Sequence, residues 1–238
     1  MHVGAVGAGR SRRGFLALAT GLGTAPMLAA CGLPSRRQSG SEAVQPLPKA
    51  AESLHEDRTT IVIGDANAPV SVRLYEDPSC PGCAEFELRG TGRHLRDKAQ
   101  KGEIQLQFCL GSFLGPGSVQ AVNALRAALD HDAFLEFHEA LYRKQTAARK
   151  LGGFTPDFLL VAAIGIEGLR GAEFEEAVTS MKYQEFVDLS EEALESAGVS
   201  GTPSMAVNGR LVHDDDHGVF DSARTLDRYL AKQPPGQR

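Results

Sequence analysis

Leu74-Tyr75-Glu76-Asp77-Pro78-Ser79-Cys80-Pro81-Gly82-Cys83-Ala84-Glu85-Phe86 is the stretch on which the reading of this chain turns. Upstream of the cysteines, Val70, Val72 and Leu74 alternate with Ser71, Arg73 and Tyr75, which is the period of a strand. Downstream, Ala84-Glu85-Phe86-Glu87-Leu88 reads as helix, with Pro81 at a first-turn position that tolerates proline. The cysteine pair therefore sits where a strand hands over to a helix. Unpaired N–H groups and the macrodipole at a helix start stabilise an anion, and the thiolate is the reactive form of cysteine. The pattern predicts thiol–disulfide exchange, with Cys80 as the low-pKa nucleophile and Cys83, one turn on and more buried, as the resolving thiol. A static disulfide or half of a zinc site would use the same residues, but no second C-x-x-C supplies the other half of a zinc site.

Working outward, Ile104, Leu106 and Phe108 alternate with Gln105 and Gln107 as a further strand. Strand–helix–strand predicts a parallel crossover. Gly90 and Gly92 predict a kink or break in the intervening helix. Thr60-Ile61-Val62-Ile63 is a short β-prone run before it. After it, Val119, Val122, Leu125 and Leu129 share a helical face, as do Phe134, Phe137 and Leu141. Thr155-Pro156-Asp157 starts another helix, and further helices are expected over residues 174–181 and 183–196. Met205-Ala206-Val207 reads as a strand, Asn208-Gly209 as a hairpin turn and Leu211-Val212 as the return strand, ahead of a last helix over 221–230. The order predicts an α/β fold: one mixed sheet flanked by helices, with a helical insertion at about residues 117–197.

The N-terminal part reads as an address. Ser11-Arg12-Arg13-Gly14-Phe15-Leu16 is a twin-arginine pattern followed by an uncharged stretch, the layout of an export signal over residues 1–30. Leu28-Ala29-Ala30-Cys31 resembles a bacterial lipobox, which would make Cys31 the lipid attachment site. Residues 31–58, rich in Ser, Pro, Gln and Ala, are expected to be a flexible tether, with the folded domain at 59–233 and a short tail at 234–238. The location implied is the extracytoplasmic face of a cell membrane. The net charge is −5 over 238 residues, and about −8 without Arg10, Arg12 and Arg13. An acidic chain with no basic cluster gives no reason to expect nucleic acid. With Cys31 assigned to lipid and Cys80 and Cys83 to each other, only Cys109 is left, so the bridge is chemical rather than one staple of a disulfide scaffold.

Taken with Gly198-Val199-Ser200-Gly201-Thr202-Pro203-Ser204-Met205-Ala206-Val207-Asn208-Gly209 and the helical insertion, the cysteine stretch resembles the DsbA-like branch of the thioredoxin superfamily, from about Thr59 to Leu230. The resemblance implies a thioredoxin-like fold, a cis Pro203 lying against the cysteines, and backbone hydrogen bonds from Thr202 to an extended substrate. Pro81, Gly82 and Asp77 become active-site support. It implies a protein disulfide oxidoreductase acting on cysteine pairs of exported proteins, oxidation favoured, monomeric, with no cofactor beyond its own disulfide and with a membrane redox partner. A reductase would use the same residues, and a client- or metal-binding lipoprotein would keep the fold without turnover. The chain departs from its relatives at Leu74, where a buried acid is common. Proton transfer at the buried thiol then falls to Asp77, Glu76 or water.

Outside these motifs, Cys109 is expected as a buried apolar residue, with a second thiol partner or a regulatory bridge as its other reading. His213-Asp214-Asp215-Asp216-His217 is expected as a solvated loop, with cation binding as its other reading. His94, His131 and His138 are expected to be surface or internally satisfied residues.

Overall fold

The computed structural model describes residues 49–234. The signal segment, Cys31, most of the expected tether and the last four residues lie outside the described residues. A six-stranded sheet has the order β1-β2-β4-β3-β5-β6, built from β1 (Glu52–Leu54), β2 (Thr60–Ile63), β3 (Ser71–Glu76), β4 (Gln105–Leu110), β5 (Ser204–Val207) and β6 (Arg210–Leu211). β3 and β4 are parallel, with Leu74 opposite Phe108, and the other pairings are antiparallel. The sheet is thus mixed, as expected, and β3 with its cysteines lies inside it.

The crossover from β3 to β4 carries α1 (Pro81–Arg89) and α2 (Gly92–Gln100). The expected break between them has a packing cause. A side chain at Gly90 would meet the Phe220 carbonyl oxygen at 2.5 Å, and one at Gly92 the Glu87 carboxylate at 2.7 Å. The space is used: Thr91 donates its amide to Phe220 O at 2.9 Å and its hydroxyl to Val219 O at 2.8 Å. Glycine is required at these two points by close approach rather than by flexibility.

The insertion comprises α3 (Pro116–Leu129), α4 (Phe134–Lys150), α5 (Pro156–Ala162), α6 (Ala172–Thr179) and α7 (Gln184–Ser196). Aromatic packing seats it on the sheet, with Phe134 of α4 edge-on to Phe108 of β4 at 5.2 Å, and holds it together, with Phe137 of α4 edge-on to Phe174 of α6 at 5.6 Å. All four rings are fully buried, and each contributes about 1.5–3 kcal/mol over an exposed position. The Asn208-Gly209 turn joins β5 to β6, both residues at positive φ (50° and 77°), as a type I′ hairpin needs. The final helix α8 (Ala223–Leu230) follows.

Two expectations change. The sheet begins at Glu52, inside the stretch 31–58 expected to be tether, because Glu52 accepts from the Phe134 and Leu135 amides of α4 at 2.7 and 3.1 Å while β1 pairs with β2. The His213–His217 stretch, expected as a solvated loop, is exposed at its described side chains but wound into a 3-10 turn over Asp214–Val219, with His213 Nδ1 accepting from the Asp215 amide at 3.4 Å. Its described histidines and carboxylates do not form a set of three within coordinating reach of one another.

Candidate active site

Cys80 is the N-cap of α1, in extended backbone, with Pro81 opening the helix. Both cysteines are free thiols, and Cys83 is wholly buried. The Thr202–Pro203 peptide bond is cis. A side chain at Gly82 would stand 3.1 Å from Pro203 Cδ, so glycine lets the proline close over the helix start. The Cys80 thiol donates to the Thr202 carbonyl oxygen at 3.2 Å.

The two thiols are in opposite electrostatic situations. Cys80 is pulled from its ordinary value down to about 5, first by the Cys83 thiol donating to its sulfur, against the cost of burial, and further by the Thr202 hydroxyl and the Cys83 and Gly82 amides. Burial first, then the hydrogen bond with Cys80 and the charge of Glu76, drive the Cys83 thiol far up. At neutral pH the pair is one thiolate and one thiol. Cys109, by contrast, is pushed up to about 11 by burial and sits against the Ser190 carbonyl at 3.7 Å, an inert position.

Asp77 holds the loop. Its carboxylate accepts from the Ser79 amide at 2.7 Å, the Leu114 amide at 3.1 Å and the Ser118 hydroxyl at 2.6 Å. Its carbonyl accepts from the Cys80 amide at 2.9 Å and the Tyr142 hydroxyl at 3.4 Å. Burial is the largest influence on its carboxyl and raises it. With both oxygens engaged, Asp77 is a clamp between the cysteine loop and α3 rather than a free proton carrier.

Three further residues come from α4, none of them expected at the site from the sequence. Gln145 donates its amide to Pro78 O and Cys80 O, each at 2.8 Å. Tyr142 packs against Cys80 and Cys83. His138, expected as an ordinary helical histidine, is buried beneath them with Nε2 2.9 Å from Glu76 Oε2. A signal existed: His138 and Gln145 fall on the apolar stripe of Phe134, Phe137 and Leu141, and a polar residue on such a stripe needs an internal partner. Two grooves flank Cys80. One, of about 520 Å³, runs along Pro81, Leu114, Gln145 and Phe154, and the other, of about 390 Å³, along Thr202, Pro203, Leu211 and Phe220.

A mixed sheet with a helical insertion, a dithiol at the start of the helix after a central strand, and a cis-proline against it define a thioredoxin-fold protein with a redox-capable site. The family model described as thioredoxin matches residues 56–226, and the chain belongs to that family. Among curated proteins it is 28% identical over 174 residues to the probable disulfide bond formation protein D of Bacillus cereus, covering 71% of this chain and 78% of that one. The disulfide bond formation protein D of Bacillus subtilis is 26% identical over 153 residues, covering 63% and 68%. Among solved structures, oxidised BdbD from Bacillus subtilis superposes with a TM-score of 0.64 at 22% identity, over 78% of this chain and 98% of that one. MdbA, a thiol-disulfide oxidoreductase from Actinomyces oris, gives 0.62 at 24% identity over 76% and 88%.

Proposed function

We propose that this chain is a protein disulfide oxidoreductase that passes a Cys80–Cys83 disulfide to cysteine pairs of exported proteins. The observation that carries the reading is the asymmetry of the two thiols: Cys80 is ionised near pH 5 at a helix start, while its partner is buried and held protonated. A low-pKa Cys80 stabilises the dithiol form of the site and leaves readily from the mixed disulfide in the second step, which favours oxidation of the client. A client thiolate attacks Cys80 Sγ, the S–S bond breaks toward Cys83, and a second client thiolate then displaces Cys80. The client lies extended along Thr202 and Pro203. Proline at 203 has no N–H and leaves that backbone edge open for pairing. The names of the relatives in Bacillus point the same way. The site needs no cofactor beyond its own cysteines, and the protein acts as a monomer.

One test is single-turnover. The disulfide form is mixed with a reduced two-cysteine protein at pH 7. About one client disulfide should form per protein, and client thiols left unchanged would sink the reading.

The export pattern and the lipobox-like stretch support a second part: lipid on Cys31 holds the domain at the outer face of the membrane, near a membrane redox partner that restores the disulfide. No helix among the described residues is long and apolar enough to cross a membrane. Metabolic acyl labelling should mark the wild type and be lost in Cys31→Ala. Labelling that persists in the variant would remove the lipid from Cys31.

A further inference from the structure

The two grooves beside Cys80 differ in charge. Among the described residues that line the one along Thr202 and Pro203 there is no lysine, arginine or carboxylate. The one along Pro81, Leu114 and Phe154 has a single charged lining residue, Arg149 of α4. Its volume of about 520 Å³ lies within the range of ligand clefts, roughly 300–1,000 Å³. An arginine at the edge of an apolar groove suits a ligand with an apolar stem and a carboxylate, which the guanidinium fork grips with two parallel hydrogen bonds.

Arg149 is exposed and free to take such a group. It donates from Nη2 to Gln145 Oε1 at 3.0 Å, and no carboxylate among the described residues pairs with it. Arg126 of α3 and Arg143 of α4, by contrast, are already paired with Asp130 and Glu139. Gln145 in turn donates to Pro78 O and Cys80 O, each at 2.8 Å. The opposite wall is tied to the same loop, where the Leu114 amide donates to Asp77 at 3.1 Å. Both walls are thus fixed to the cysteine loop, and the guanidinium keeps a set distance from Cys80. One glutamine side chain spans that gap. An extended client advances about 3.3 Å per residue, which brings a position about two to four residues from the reacting cysteine to Arg149. A client strand lying along Thr202 and Pro203 crosses Cys80 to react and runs on into this groove.

We propose that Arg149 is a specificity-determining residue, selecting client segments that carry a glutamate or aspartate about two to four positions from the reacting cysteine. The proposal rests on the disulfide-exchange reading above and names a class of client for it. The client carboxylate binds the free edge of the guanidinium while its stem lies on Leu114 and Phe154. Arg149 touches the client but not the reacting sulfurs, so it acts on capture rather than on exchange. The chain as a whole carries a charge of −5 and repels acidic peptides at long range. A preference for them therefore requires a local cation at the site.

The test is the oxidation of reduced two-cysteine peptides by the disulfide form of the protein at pH 7 and low salt. Each peptide has one variable residue, Glu, Gln or Lys, placed two, three or four positions before or after the first cysteine. Each rate is divided by that peptide's rate with oxidised glutathione, which removes the effect of the variable residue on the peptide's own thiol. At one or more of these positions the Glu peptide should react at least about fivefold faster than the Lys peptide, with Gln between them. The gap should narrow in about 0.5 M salt. Arg149→Gln should bring the three peptides within about twofold of one another, and Arg149→Glu should reverse their order. Each comparison is a ratio within one protein, so a loss of folded protein or of Cys80 reactivity in a variant cancels. Glu and Lys peptides that react alike at every position in the wild type, or a Glu preference that survives in Arg149→Glu, would overturn the proposal. A wild-type disulfide form that oxidises none of the peptides would instead overturn the disulfide-exchange reading itself.

Discussion

Cys80→Ser should slow exchange with protein disulfides by on the order of 10³-fold or more, while Cys83→Ser should keep the first step and lose the second. The serine hydroxyl does not ionise near neutral pH, so no nucleophile remains at the helix start. Cys109 cannot take over, being buried and pushed up to about 11. In Cys83→Ser the nucleophile survives but the resolving thiol is gone. That variant should accumulate a covalent adduct with client proteins, visible on a non-reducing gel and released by dithiothreitol. The wild type should show little adduct and Cys80→Ser none. An adduct in Cys80→Ser equal to that in Cys83→Ser would place the nucleophile elsewhere.

The second large effect is on the relative stability of the two redox forms. In the dithiol form the Cys80 thiol is held at about 5, chiefly by the Cys83 hydrogen bond, against roughly 8.5 for an unfolded cysteine. A group held lower in the folded state stabilises the fold fully above its unfolded value. That stabilisation shrinks as pH falls below it and is lost as pH drops through the folded value. The disulfide form has no such group. The melting temperature of the dithiol form, relative to the disulfide form, should therefore rise steadily between about pH 5 and pH 8. Cys83 acts in the opposite sense, but only above roughly pH 8.5, where its unfolded counterpart starts to ionise. Paired thermal melts across this range measure the gap, and a gap that stays flat contradicts an activated Cys80. A dithiol stabilised in this way also means an oxidising disulfide.

The parts of this chain governed by local rules were legible in sequence. The alternation at Val72 and Leu74, the helix-start proline and the Asn208-Gly209 turn each fix their own backbone, and β3, α1 and the β5–β6 hairpin follow. The order of the motifs then identified the thioredoxin-like arrangement. Elements made by distant partners were not legible. Glu52-Ser53-Leu54 has no strand period of its own, and it becomes β1 because β2 and the α4 amides are waiting for it. Gly90 and Gly92 mark a break but not its causes, which are the Phe220 carbonyl from the far end of the chain at Gly90 and the folded-back Glu87 carboxylate at Gly92. Glu76 and His138 stand 62 positions apart on a strand and a helix, a separation that carries no spacing signal. The resemblance makes Asp77 active-site support and leaves Asp77, Glu76 and water open as proton carriers. Only the three donors on Asp77 separate the clamp from the pair below.

Glu52 also ties the chain's point of entry to its chemistry. The carboxylate that grips the start of α4 belongs to the first strand, just after Lys49, which itself pairs with Glu136 of α4 at 2.9 Å. Three turns further along the same helix, Gln145 holds the carbonyls of Pro78 and Cys80. Tension applied to the leading end of the domain would load β1 in shear against β2 and be borne by the helix that braces the cysteine loop. The handle and the working end of this molecule are two ends of one rod.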